Sequence, residues 1–142
     1  MPSGSCRELG ELPGDVLRIV AEARRAVLAT IGPDGVPRTV PICFAVRAGE
    51  VVTALDHKPK GESRPARLTN ITADARVTVL FDRYDDDWAL LGWVMVRGRA
   101  RIEPPGAASA VLAARYPQYA ERPPAGEVIA ISPERIAWWT WR

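Results

Sequence analysis

The stretch D-H-K-P-K-G-E-S-R, Asp56 to Arg64, carries the residues whose types and spacing most clearly suggest chemistry. Lys58 and Lys60 are the only lysines in the chain, and every other basic side chain is arginine. A phosphate is best held where backbone N–H groups converge at the start of a helix and flexible cations lie close by. Lys58, Lys60, Ser63 and Arg64 have that arrangement, in a turn between an apolar strand pattern and a helix pattern. The alternative is a hydrophilic turn carrying ordinary surface charge. The turn is neither a GxxxxGK[ST] phosphate loop nor a GxGxxG dinucleotide fingerprint.

Other chemistries find fewer parts. His57 is the single histidine, and CxxC and HExxH are absent, so no metal site is expected. Asp82, Asp85, Asp86 and Asp87 lack the glycine and distal glutamate of a calcium loop and read as a solvated turn. Cys6 and Cys43 are too few for a disulfide framework and read as free thiols. The net charge of +2, spread along the chain, gives no footprint for nucleic acid. No apolar run approaches the roughly 18 residues that span a bilayer, and the N-terminus lacks a signal-peptide pattern, so a cytoplasmic protein without a membrane partner is expected.

The elements that must position the turn follow from periodicity. Leu12, Val16, Ile19, Val20 and Ala23 share one face of a helix over about 13–24. Ala26–Ile31 and Arg38–Val46 read as strands around the G-P-D-G turn, with Val40, Ile42, Phe44 and Val46 on one face and Thr39, Pro41, Cys43 and Ala45 on the other. Val51–Leu55 reads as a strand entering the lysine turn. Ser63 is a candidate cap for a helix from about Arg64 to Ala73, with Pro65 in its first turn. Arg76–Arg83 and Trp93–Ile102 alternate as strands, the second with Arg97, Arg99 and Arg101 on one face. Ala107–Tyr116 reads as a helix, and Glu127–Ile131 with Ile136–Trp141 as closing strand material. The expectation is one α+β domain over 1–142, an antiparallel six- to seven-stranded split β-barrel with a few peripheral helices, residues 1–12 loosely ordered.

Several of these segments resemble a known family. A-V-L-A-T-I-G-P-D-G-V-P, D-H-K-P-K, R-L-T-N-I-T-A-D-A-R-V-T-V-L-F-D-R-Y-D-D-D-W and R-Y-P-Q-Y-A-E-R-P-P-A-G are similar to the pyridoxamine 5′-phosphate oxidase-like split-barrel superfamily that binds FMN. D-H-K-P-K and R-Y-P-Q-Y resemble its actinobacterial branch of coenzyme F420-dependent oxidoreductases. The resemblance runs from about Asp15 to Trp141.

The resemblance implies a homodimer with two cofactor sites at the subunit interface. It implies an oxidoreductase that moves a hydride between F420, or alternatively FMN, and an unidentified small organic acceptor; a flavin- or deazaflavin-binding protein without catalysis is a further alternative. By position, Lys58, Lys60 and Arg64 would contact the cofactor phosphate with Ser63 as a hydroxyl donor. Pro41, Ile42 and Cys43 would lie along the ring, and Trp88 would border it. Cys43 has the competing role of a small core residue. No catalytic side chain is assigned, because hydride chemistry belongs to the cofactor. Arg97, Arg99 and Arg101 would either lead an acidic cofactor tail away from the phosphate or form an ion-paired strand face.

Overall fold

A computed structural model describes residues 2–56 and 64–142. Eight strands form one antiparallel sheet: β1 (Ser3–Cys6), β2 (Ala26–Ile31), β3 (Pro37–Ile42), β4 (Ala45–Arg47), β5 (Glu50–Ala54), β6 (Arg76–Arg83), β7 (Gly92–Glu103) and β8 (Val128–Thr140). Four helices accompany them: α1 (Gly14–Glu22), α2 (Ala66–Ala73), α3 (Ser109–Arg115) and α4 (Pro117–Glu121). The strand order is β3-β2-β6-β7-β8-β5-β4, with β1 also paired to β8.

The split in the barrel lies on β8. Its whole length pairs with β7, but its other edge is shared, Val128–Ile131 pairing with β5 and Ile136–Trp139 with β1. Between these halves the register jumps, Arg97 facing Arg135 while Gly98 faces Pro133. Pro133 cannot donate to a ladder, and a bulge accommodates it. Gly98 is required there, since a Cβ would lie 2.1 Å from the Ser132 carbonyl oxygen. The two closing segments expected from sequence are therefore one bulged strand.

Two further expectations are corrected. The N-terminal segment is not loosely ordered: β1 pairs with β8, Gly4 lies against the Trp138 indole, and Leu9 and Leu12 are buried. Arg38–Val46 is not one strand. The ladder stops at Ile42, where the Phe44 amide donates instead to the Tyr116 hydroxyl at 3.1 Å. The break shifts the phase, so Ala45 is 2% exposed and Val46 41%, the reverse of strict alternation.

The core has two parts on opposite sides of β5 and β8. One, beneath α1, includes Val16, Leu28, Phe44, Val51, Val79, Phe81, Val96 and Ile131; the other, beneath α3, includes Val52, Leu112, Tyr116, Val128 and Ala130. Buried on both faces, β5 and the start of β8 are near-continuous apolar runs.

One row on the outer face of the sheet is also apolar. Pro41, Val27, Leu80, Met95 and Ala137 form one row of register partners across β3, β2, β6, β7 and β8, and the last four are half-buried. Trp93 and Trp139 pair in the row above it. On the other side of the same strands, Leu28, Val79, Val96 and Ile136 fill the core.

Candidate functional site

The lysine turn joins β5 to α2, and the described residues on each side of it are firmly placed. Leu55 donates to the Glu127 carbonyl at 3.0 Å, and Gly126 donates to the Leu55 carbonyl at 2.9 Å. A Cβ on Gly126 would stand 2.5 Å from the Leu55 oxygen, so this approach needs glycine. On the far side of the turn, the Arg64 guanidinium lies 3.5 Å from the Glu127 carboxylate. Both flanks thus converge on the entry to β8.

The helix begins at Ala66, later than the sequence suggested, with Pro65 extended at φ −56° and ψ 139° as its N-cap. A residue before proline avoids the helical region, which keeps Arg64 out of the helix. Arg67, in the first turn of α2, lines a cleft of about 260 Å³ between α2 and β2–β3. Thr30, Arg38, Thr39, Val40 and Asn70 also line it. The Asn70 amide donates to the Thr30 hydroxyl at 3.0 Å, a buried bond that fixes α2 on β2.

The two arginines of the cleft differ. Arg38 is already engaged, donating to the Val36 carbonyl at 2.8 Å and the Asp34 carboxylate at 3.0 Å. That bond, with the Val36 amide, holds the Asp34 carboxyl below its ordinary range. The Arg67 Nε is buried and finds no hydrogen-bond partner among the described residues. Desolvation pushes the Arg67 guanidinium pKa down, against the pull of the Asp56 charge. Arginine keeps its proton throughout, so a cation with an unmatched donor lines this cleft. An anionic oxygen would match that donor. The residues present therefore fit a phosphate-bearing ligand, and the cleft, smaller than the roughly 300–1,000 Å³ of most ligand pockets, would enclose only part of it.

The residues expected from sequence are distributed unevenly. His57, Lys58, Lys60 and Ser63 lie outside the described residues. Arg64 is at the site, partly exposed. Pro41 is exposed on the outer sheet face beside Val27. Ile42 is 6% exposed, inside the main core, so only its backbone can meet a ring. Cys43 packs against the second core, and its carbonyl accepts from the Thr53 hydroxyl at 2.6 Å. Trp88 is 60% exposed, and its ring meets Trp141 edge-on at 5.4 Å. It precedes Gly92 at the start of β7, whereas Arg64 is tied to Glu127, beside the Val128–Glu103 pair that ends β7. Along that 12-residue strand the two lie at opposite ends.

Sequence reasoning missed Arg67 and did not assign the R-Y-P-Q-Y segment. The available signal for Arg67 was its position three residues after Arg64, which put both on one face of the helix expected from sequence. In R-Y-P-Q-Y, Arg115 donates to the Ala21 carbonyl at 3.0 Å and to that of Ala23, and lies over the Phe44 ring at 4.5 Å. Tyr116 donates to the Arg24 carbonyl at 3.0 Å, and Tyr119 to Asp56 at 3.1 Å.

Two of the three arginines in the β7 row, Arg99 and Arg101, are ion-paired. Arg101 binds Glu50 at 2.6 and 2.7 Å and Glu103 at 3.0 Å, and Arg99 lies 3.6 Å from Glu134. The aspartates near Trp88 serve their own turn, Asp85 accepting from the Asp87 amide and Asp87 from that of Ala89. Both cysteines are free. Among the described residues no group of three or more His, Cys, Asp or Glu could hold a metal, and no helix is long and apolar enough to cross a membrane.

Residues 12–140 match the model of the pyridoxamine 5′-phosphate oxidase family. The chain belongs to that family. Solved structures agree on the fold, that of the flavin-binding split barrels. A conserved hypothetical protein from Mycobacterium tuberculosis is similar at a TM-score of 0.72 and 23% identity, over 93% of this chain and 91% of its own. A protein described as an F420 reductase has a TM-score of 0.68 and 24% identity, over 88% and 98%. An FAD-binding protein from Mesorhizobium loti has a TM-score of 0.64 and 17% identity, over 97% of each chain. No curated protein sequence matches.

Proposed function

We propose that the protein is an F420-dependent oxidoreductase, with the cofactor phosphate held between the lysine turn and the start of α2. The observation that carries this reading is the buried Arg67 Nε, a cationic donor lacking an acceptor among the described residues, two residues from Pro65 and beside a turn that holds both lysines. Lys58, Lys60, Ser63 and Arg64 would complete the phosphate cradle, and the β3 backbone from Pro41 to Cys43 would border the ring. The D-H-K-P-K and R-Y-P-Q-Y segments favour F420 over FMN. The similar fold of an F420 reductase is in keeping with that choice, and that of an FAD-binding protein keeps FMN as the second reading.

When bound, the reduced deazaflavin supplies a hydride to an electron-poor acceptor. The chain's part is to hold the phosphate, to fix the ring against β3 and to exclude water. No side chain is assigned as a proton donor. Arg99 and Arg101 do not extend the cradle, because they are matched by Glu134, Glu50 and Glu103.

The site is proposed to be shared by two copies of the chain. Antiparallel sheets commonly keep one face polar, yet here the Val27–Leu80–Met95–Ala137 row is apolar opposite an equally apolar core face. A second copy would cover it, and exposed Pro41 at its end would place the ring strand at that interface. Trp88, at the far end of β7 from Arg64, would then serve the partner's site.

Titration of the purified protein with F420 and FMN side by side tests the cofactor. Tighter binding of F420 is expected, and equal or reversed affinities would move the assignment to FMN. Sedimentation should show a dimer at micromolar concentration; a monomer that still binds the cofactor tightly would contradict the shared site.

A further inference from the structure

We propose that Tyr119 is a positioning residue for this site, fixing the root of the lysine turn relative to the strand that borders the ring. The inference rests on the cofactor reading above. Its basis is a continuous chain of contacts from the end of the ring strand to Asp56. The Phe44 amide, just past β3, donates to the Tyr116 hydroxyl at 3.1 Å, and that hydroxyl donates to the Arg24 carbonyl at 3.0 Å. Tyr116 is buried, so its ring is fixed between α1 and the β3–β4 break. The Tyr119 ring meets it edge-on at 5.6 Å, with α4 started by Pro117 at its first position.

From that support the Tyr119 hydroxyl reaches Asp56, donating to its Oδ1 at 3.1 Å. Asp56 is the last described residue before the turn. Burial first, then the charge of Asp56 and the neighbouring Cys43 thiol, push the Tyr119 hydroxyl pKa up. It therefore stays protonated, and remains a donor, across the neutral range. Asp56 also attracts the Arg67 guanidinium. One carboxylate is thus held by a tyrosine whose ring rests on Tyr116, and its charge acts on the arginine of the cleft.

Tyr119→Phe keeps the ring contact and removes the hydroxyl. In the full-length protein, affinities for F420 and for its phosphate-free deazariboflavin core separate positioning of the phosphate turn from support of the ring strand. F420 binding should weaken roughly 5- to 10-fold, the size of one hydrogen bond to a charged group, and core binding by less than about twofold. Asp56→Ala should change affinity less in the Tyr119→Phe background than in the parent, since the Tyr119 hydroxyl acts only through that carboxylate. Equal weakening of both ligands, no weakening of either, or full additivity of the two substitutions would overturn the role. A parent protein that binds neither ligand would instead overturn the cofactor reading itself, and this role with it.

Discussion

Two groups of arginines in this molecule have opposite surroundings. Around β7, Arg101 makes two bonds to Glu50 and one to Glu103, Arg47 makes two to Glu103, and the Ser132 hydroxyl donates to Glu50 at 2.6 Å. Two positive and two negative side chains close on one another. Beside α2, the Arg67 Nε is buried with no acceptor among the described residues, and the chain's two lysines stand a few residues before it. The first group binds β4, β5, β7 and β8 together; the second is the one proposed above to receive a phosphate. Sequence alone marked both as basic clusters, and it is the unmatched Arg67 Nε that distinguishes the second.

The sharpest way to break this contrast is to remove the lysines. The double variant Lys58→Ala, Lys60→Ala should lose tenfold or more in F420 affinity, since charge-assisted contacts contribute about 1.5–3 kcal/mol each, with little change in melting temperature. Its affinity should also depend less steeply on salt than the parent's. Unchanged affinity at low ionic strength would show the turn to be ordinary solvated surface.

Next in size is a crossed pair of single substitutions. Arg67→Met retains most of the side-chain packing and should weaken F420 about tenfold while leaving the stability of the ligand-free protein nearly unchanged. Arg101→Met should do the reverse, leaving affinity alone and lowering stability by about 1 kcal/mol or less, as expected for a partly exposed network. Calorimetric titration and thermal melts of both variants check this, and an affinity loss from Arg101→Met would erase the distinction.

The smallest effect is on acid stability. Bonds from Arg101, then Ser132, hold the Glu50 carboxyl at about 2, below its ordinary value. Because the folded value is the lower one, the stabilisation is present above the ordinary glutamate range and is lost as pH falls from there towards about 2. Glu50→Gln should therefore flatten the melting temperature across that window. F420 affinity near neutral pH should not move.

The contrast also marks where sequence reading succeeds. β6 was legible residue for residue, and the two faces of β7 likewise, because one face of each is packed in the core and alternation follows burial. The single strand drawn through Phe44 failed because its amide is taken by Tyr116, 72 residues away. The order of the N-terminus was hidden for a similar reason, since Gly4 and Leu9 find their partners in β8 and the core. At the site, the lysine turn stood out by composition, whereas Arg67 looks like any helix arginine until its burial is known. Trp88 was placed by family resemblance alone, and no local pattern tells which copy of the chain it would serve.

That last question is the most direct test of the account. Trp88→Ala protein and the Lys58→Ala, Lys60→Ala variant, each weakened in F420 binding, are mixed, dissociated and reassembled. If each site draws the lysine turn from one copy and Trp88 from the other, random pairing returns about one site in four with every contributing residue intact. The account predicts that a titration of the mixture shows this fraction of parent-like, high-affinity sites. A mixture that binds no better than its two components would contradict it.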